Sequence, residues 1–115
     1  MIATGQTIGG VAQGVGAALL EEVVYDDAGQ LVTATLMDYL VPTACEVPTV
    51  EVIHLDQPSP TTLGGFKGVG EGGTIGAPAA IANAIADALA PLGVEISELP
   101  VTPERLFRLL ARRRG

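Results

Sequence analysis

This sequence predicts an α+β arrangement: a helix, short antiparallel strands, a glycine-rich loop, then two helices. Three observations carry that reading. Small-residue stretches with helical spacing run from Gln6 to Glu22 and from Ala79 to Ala90. Between them lie β-branched runs around an Asp/Gly turn. Six of the ten residues from Gly64 to Gly73 are glycine, a density that suits a loop pressed close to something else.

The first helix, Gln6 to Glu22, holds Gly9, Gly10, Gly14 and Gly16. Each interior glycine costs about 1 kcal/mol relative to alanine, so close packing must recover the loss. Gln6 and Gln13 stand seven residues apart, two helical turns, and point the same way. Val23 to Tyr25 and Leu31 to Leu36 flank Asp26-Asp27-Ala28-Gly29-Gln30 and read as a hairpin. Asp38 to Pro48 is an irregular connector whose two prolines bar ladder pairing. Val50 to Leu55 alternates as a third strand, with His54 as a strand-face residue.

Pro58 to Thr62 leads into the glycine loop, and Thr74 to Pro78 leads out of it. The helix from Ala79 to Ala90 has proline near its first turn and Ile81, Ile85 and Leu89 on one stripe. Its alanines predict burial, with Asn83 and Asp87 on the wetter side. Pro91-Leu92-Gly93 ends it, and Val94 to Ile96 reads as a short extended stretch. The last helix opens at Thr102 as N-cap with Pro103 at N1 and Glu104 in the first turn. The basic run from Arg105 to Arg114 falls on it and offsets its dipole.

At 115 residues there is room for one domain with a modest core. Apolar residues form 48% of the chain, yet only two Phe and two Tyr are present and Trp is absent. Glycine and alanine fill a core poorly and favour contact with a larger assembly. A net charge of −7 argues against nucleic-acid binding, which needs clustered cations. Lone Cys45 gives no disulfide framework, and with lone His54 it makes no metal site of credible spacing. A cytoplasmic setting is the plain expectation. The start lacks the basic and apolar regions of a signal peptide. The apolar run from Ile75 to Val94 carries Asn83, Asp87 and two prolines, a poor membrane span.

Three functional readings compete for the loop, against a plain solvated surface loop. Gly68-x-Gly70-x-x-Gly73 has dinucleotide-binding spacing, but Asp56 to Thr62 before it is no strand, and Glu71 would face a pyrophosphate. A phosphate-cradling P-loop needs a Gly-Lys-Ser/Thr triplet, which is absent. The third reading makes Glu71 a base on a cofactor-contacting loop, where proton removal is needed with little bulk nearby.

Lys67-Gly68-Val69-Gly70-Glu71-Gly72-Gly73, the helix after it, and Leu99 to Leu106 resemble the C-terminal end of molybdenum hydroxylase large subunits. Those are the xanthine dehydrogenase, aldehyde oxidoreductase and aerobic carbon monoxide dehydrogenase subunits, with the phrasing nearest the last. Gln6 through Gly14, Glu21 to Asp26 and Asp38 to Thr43 match in the same order. The resemblance implies a partial molybdopterin-binding domain over residues 1–115, with Glu71 as the base beside the molybdenum. It also implies that Gln6 looks toward the metal centre, and that Lys67, Gly68, Val69 and Gly70 pass along the pterin. The metal is then held by the pterin, here its cytosine dinucleotide form, and no protein ligand is expected. Iron–sulfur and FAD groups belong to partner subunits of an oligomer, and the remainder of the molybdopterin-binding subunit is a further partner. The reaction implied is hydroxylation of a small carbon substrate or oxidation of carbon monoxide. The alternative is a truncated segment or subunit-contact module without activity of its own.

Overall fold

The helices form where small residues let backbones touch. The computed structural model describes residues 1–113, so Arg114, the last of the basic run, lies outside the described residues. Helix α1 spans Ile2–Leu19, shifted toward the N-terminus from the expected Gln6 to Glu22. It stops early for a physical reason: Glu21 and Glu22 would sit at the negative end of the helix dipole, and β-branched Val23 and Val24 follow. The Gly16 carbonyl accepts from both Leu20 N (2.9 Å) and Glu21 N (2.8 Å), closing the last turn.

Helix α2 is a single turn, Gly72–Ile75, and α3 runs Ala77–Leu89, with Gly76 between them. A 3₁₀ turn over Ala90–Leu92 and Gly93 at φ 66° end α3. Helix α4 spans Pro103–Ala111, and Thr102 Oγ1 accepts from Arg105 N at 3.2 Å, the expected N-cap. Glu104 pairs with Arg108 at 2.6 Å along its exposed side.

Helix α1 is the element the others rest on. A Cβ built on Gly10 would come within 2.8 Å of Thr74 N, and one on Gly14 would collide with the Ala77 Cβ. One on Gly73 would collide with the Thr7 carbonyl. Three glycines therefore allow α1 to approach α2 and the start of α3 backbone to backbone. At the other end of α1, Val101 N donates to Ala18 O at 2.7 Å. Arg105 reaches Glu22 at 2.8 Å and Glu98 at 3.8 Å. These ion pairs are partly exposed, worth at most about 1 kcal/mol each. The buried apolar core is small: Val15, Ala18, Val94 and Val101.

The strands depart from expectation. Among the described residues the hairpin keeps its turn but makes only one bridge, Tyr25 to Leu31. Asp26 Oδ1 accepts from Ala28 N (2.9 Å) and Gln30 N (2.8 Å), and Gly29 takes φ 78°. The ladder fails beyond Val32 because Ala34 N turns back to Val32 O, and no third strand supports the pair. Val50 to Leu55 runs without helix, turn or bend and pairs with nothing, so the third strand is not formed. Val94 to Ile96 likewise joins no strand: Val94 N donates back to Leu89 O at 3.5 Å, and Val94 is buried. Helix α3 is not largely buried either. Ile81, Ile85 and Leu89 are half-covered, Asn83 and Asp87 are exposed, and no residue of α3 is fully buried. Among the described residues no layer covers it.

By length and composition alone, Gly72–Leu92 could cross a membrane: 21 residues of mean hydropathy 1.4, despite Asn83 and Asp87. Gly76 breaks that run and its first part lies against α1. The connector is pinned locally: Tyr39 donates to Glu21, and Thr43 N donates to a Glu46 carboxylate oxygen at 2.7 Å.

A compact chain of this length has a radius of gyration of about 13 Å; here it is 18.0 Å, with extents of 59 × 38 × 28 Å. Ile53, Leu55, Leu63, Phe66 and Phe107 are exposed. The isolated chain is therefore expected to self-associate, or to unfold with low cooperativity. A monomer melting in one sharp transition within or above about 45–65 °C in calorimetry would contradict this.

A second expectation concerns pH. The hydrogen bond to the Glu21 carboxylate holds the Tyr39 phenol above its ordinary value, with burial and the carboxylate's charge adding to it. The contact's stabilisation is complete below the ordinary tyrosine pKa and is lost as pH rises through the raised one. In an ultraviolet titration, Glu21→Gln should lower the Tyr39 midpoint. Hydrogen bonds from Thr43 hold Glu46 below its ordinary value, so that contribution is present above the ordinary glutamate pKa and fades as pH falls through the lowered one.

Candidate functional site

The glycine loop is held against α1 by one side chain. Gln6, on the second turn of α1, donates from Nε2 to the Gly70 carbonyl at 2.6 Å. A carbonyl only accepts, so this bond fixes which end of the amide faces the loop. The Gln6 Oε1 atom has no protein partner among the described residues.

Glu71 sits at the entry to α2 with φ −106° and ψ −1°. Its carbonyl accepts from Thr74 N (3.0 Å) and Ile75 N (3.3 Å), while Gly72 N turns back to Val69 O (3.3 Å). The backbone on both sides is thus fixed, and the carboxylate is exposed, with no cap bond to the helix. It borders an open hollow of about 460 Å³ lined by Gly68, Val69, Gly70, Gly72 and Ile75. Nothing among the described residues buries Glu71.

The sequence-derived site residues are thus partly brought together. Gly68, Val69, Gly70 and Glu71 line one hollow, and Gln6 joins them only through its hydrogen bond to the Gly70 carbonyl. Lys67 is exposed and borders the adjoining hollow of about 510 Å³, beside His54, Asp56 and Phe66. Gly68 and Val69 form the wall between the two. His54, which the alternating pattern makes a strand-face residue, lies 3.1 Å from Thr4 on α1 through Nε2. Its place beside Lys67 has no signal in the sequence.

The glycines divide into two sets. Those at 10, 14 and 73 are required by contacts inside the chain. Gly5, Gly9, Gly68, Gly70, Gly72 and Gly76 are not: a Cβ on any of them meets nothing within 4 Å, and none has a positive φ. Neither packing nor conformation within this chain explains them. All but Gly76 flank Gln6 on α1 or Glu71 on the loop, where the missing side chains leave the backbone open to close approach.

The second hollow missed by sequence reasoning is an apolar trough of about 770 Å³, walled by Thr7, Val11, Val15 and Leu19 of α1 and by Gly76 and Ala80 opposite. The four-residue spacing on α1 signals one wall. Its opposite wall comes from α2 and α3, more than fifty residues away in sequence.

Residues 1–48 match the family model of a molybdopterin cofactor-binding domain. The chain is 49% identical over 107 residues to the nicotine 6-hydroxylase large subunit of Paenarthrobacter nicotinovorans, covering 93% of this chain and 13% of that one. It is 38% identical over 110 residues to the carbon monoxide dehydrogenase large chain of Hydrogenophaga pseudoflava, covering 96% and 14%. Its fold superposes on part of quinoline 2-oxidoreductase from Pseudomonas putida 86 with a TM-score of 0.94 at 57% identity, covering 98% and 14%. The Cu,Mo-carbon monoxide dehydrogenase in its carbon monoxide-reduced state gives 0.92 at 34% identity. With these matches the chain takes its place in the molybdenum hydroxylase large-subunit family, matching one segment of it. It spans only 13–14% of the length of these relatives.

The division of the glycines is testable in an assembled subunit. Gly73→Ala should destabilise by about 1–3 kcal/mol, because its new methyl meets the Thr7 carbonyl. Gly68→Ala should stay within about 0.5 kcal/mol in denaturant unfolding yet lower cofactor content. Equal losses of stability for both would contradict the division.

Proposed function

We propose that this chain is the C-terminal portion of a molybdopterin-binding domain, in a molybdenum-dependent oxidoreductase, and that it supplies the base and one wall of the cofactor site. The observation that carries the reading is the Gln6–Gly70 hydrogen bond, which presents Glu71 beside glycines that no contact within the described residues requires. Similarity to carbon monoxide dehydrogenase and to nicotine and quinoline oxidoreductases supports the reaction class. Hydroxylation of a small carbon substrate, or oxidation of carbon monoxide, is the activity of the assembly.

When bound, the molybdenum centre supplies the oxygen transfer and accepts the substrate's electrons. The chain's own residues then have distinct tasks. Glu71 accepts a proton at a carboxylate oxygen, from a backbone fixed by the bonds of its carbonyl to α2. Gln6 holds the loop through Nε2, which would leave Oε1 able to accept a hydrogen bond from the cofactor. Gly68, Val69 and Gly70 present main chain to the pterin, in its cytosine dinucleotide form, without Cβ bulk at 68 and 70. Lys67, at the adjoining hollow, would extend that main-chain edge along the pterin. Exclusion of water falls to the remainder of the subunit, because Glu71 is exposed here. An iron–sulfur subunit and an FAD subunit carry electrons away, in a cytoplasmic oligomer without membrane span or nucleic acid.

Glu71→Gln keeps shape and hydrogen bonding while removing basicity. In the assembled complex, turnover with an artificial acceptor should fall about 10²–10⁴-fold at unchanged molybdenum content. Substituting Glu95, Glu98 or Glu104 should leave turnover nearly intact. Most activity surviving in Glu71→Gln, per molybdenum bound, would return the loop to a backbone-only role. The chain purified alone should hold no molybdenum; close to one atom per chain by elemental analysis would remove the need for the rest of the subunit.

A further inference from the structure

The failed third strand points outward. Residues 50–55 read Val-Glu-Val-Ile-His-Leu, an alternating β-rich run. The chain from residue 48 to 59 shows no helix, turn or bend. Yet from residue 47 to 58 no backbone N–H or C=O makes a hydrogen bond to any backbone or side-chain partner among the described residues. Backbone groups of a native chain are nearly always paired, in sheets with a neighbouring strand. Here both edges of the run are free.

Its two faces differ. Positions 50, 52 and 54 share one face of an extended run. Val50 and Val52 are half-buried, and His54 touches Thr4 of α1, so this face rests on the chain itself. Positions 51, 53 and 55 share the other, where Ile53 is 76% and Leu55 87% exposed. A solvated loop would not place two large aliphatic side chains on its outer face. A sheet strand covered from outside would.

We infer that residues 50–55 are a β-strand completed by strand pairing, and that the pairing strand comes from the remainder of the molybdopterin-binding subunit. The occupant is a strand because main-chain donors and acceptors are what the run offers. Its source is the subunit because the matched relatives are about seven times longer than this chain, so most of the surrounding fold lies outside it. This rests on the proposed function. It adds that the strand running toward the glycine loop is set by contacts the chain does not contain. The unpaired Leu55 to Pro58 segment, which borders the Lys67 hollow, would be steadied by the same pairing.

The test uses the full chain and, as probe, the Paenarthrobacter nicotinovorans nicotine 6-hydroxylase large subunit lacking the 107 residues matched here. The two are co-expressed, purified and followed by amide hydrogen exchange. In the free chain residues 50–55 should exchange at near-unstructured rates; in the complex they should slow by about a thousandfold or more. Glu51→Pro removes a strand donor, whereas Glu51→Thr keeps it. The proline variant should weaken the complex at least about tenfold and the threonine variant should not. Failure to form any complex would overturn the family-partner reading and the inference together. A complex in which residues 50–55 exchange as fast as in the free chain would overturn the strand alone. So would equal affinity of the proline and threonine variants.

Discussion

The contact between Gly73 and the Thr7 carbonyl is the constraint on which the rest depends. A side chain at either Gly10 or Gly73 would push α2 off α1. The consequence is immediate for the site, because Glu71 sits one residue before α2 and Gln6 one residue before Thr7. One backbone-to-backbone approach therefore sets the distance between the carboxylate and the amide that holds its loop. Close packing of glycine also offsets the helix propensity that glycine lacks, which is how α1 keeps five of them within Ile2–Leu19.

Around that contact the chain is unevenly finished. The α1–α2–α3 junction and the α4 anchor are well paired, through Val101 N to Ala18 O and Arg105 to Glu22. The hairpin, the run at residues 50–55 and the outer face of α3 are not. Exposed Ile53, Leu55 and Phe66 and a radius of gyration of 18.0 Å belong to the same picture. Of the unfinished surfaces, the run at residues 50–55 ends beside the loop that carries Glu71. That is the pattern expected when a site is assembled from several segments and only one is present.

The division among glycines separates architecture from function more sharply than exposure does. Gly10, Gly14 and Gly73 answer to neighbours within the chain; Gly68, Gly70 and Gly72 answer to none. Both sets look alike in sequence, because a glycine carries no side chain to announce what it is near. Only built positions for the missing methyl groups tell them apart.

Local chemistry was readable in the sequence. Thr102 and Pro103 open α4 as their cap and φ preferences require, and Asp26 with Gly29 makes the turn of the hairpin. The stripe of Ile81, Ile85 and Leu89 gives the covered side of α3, and the motif around Glu71 gives the family resemblance. These depend on residues within a turn or two of one another. Strand pairing, burial of α3 and the meeting of Gln6 with Gly70 depend on segments far apart, or outside this chain. Alternation at residues 50–55 states a preference for extended backbone, but a ladder needs a second strand, and none is available here. Gln6 and Gly70 are 64 residues apart, and their bond exists only because Gly10 and Gly73 let two backbones touch.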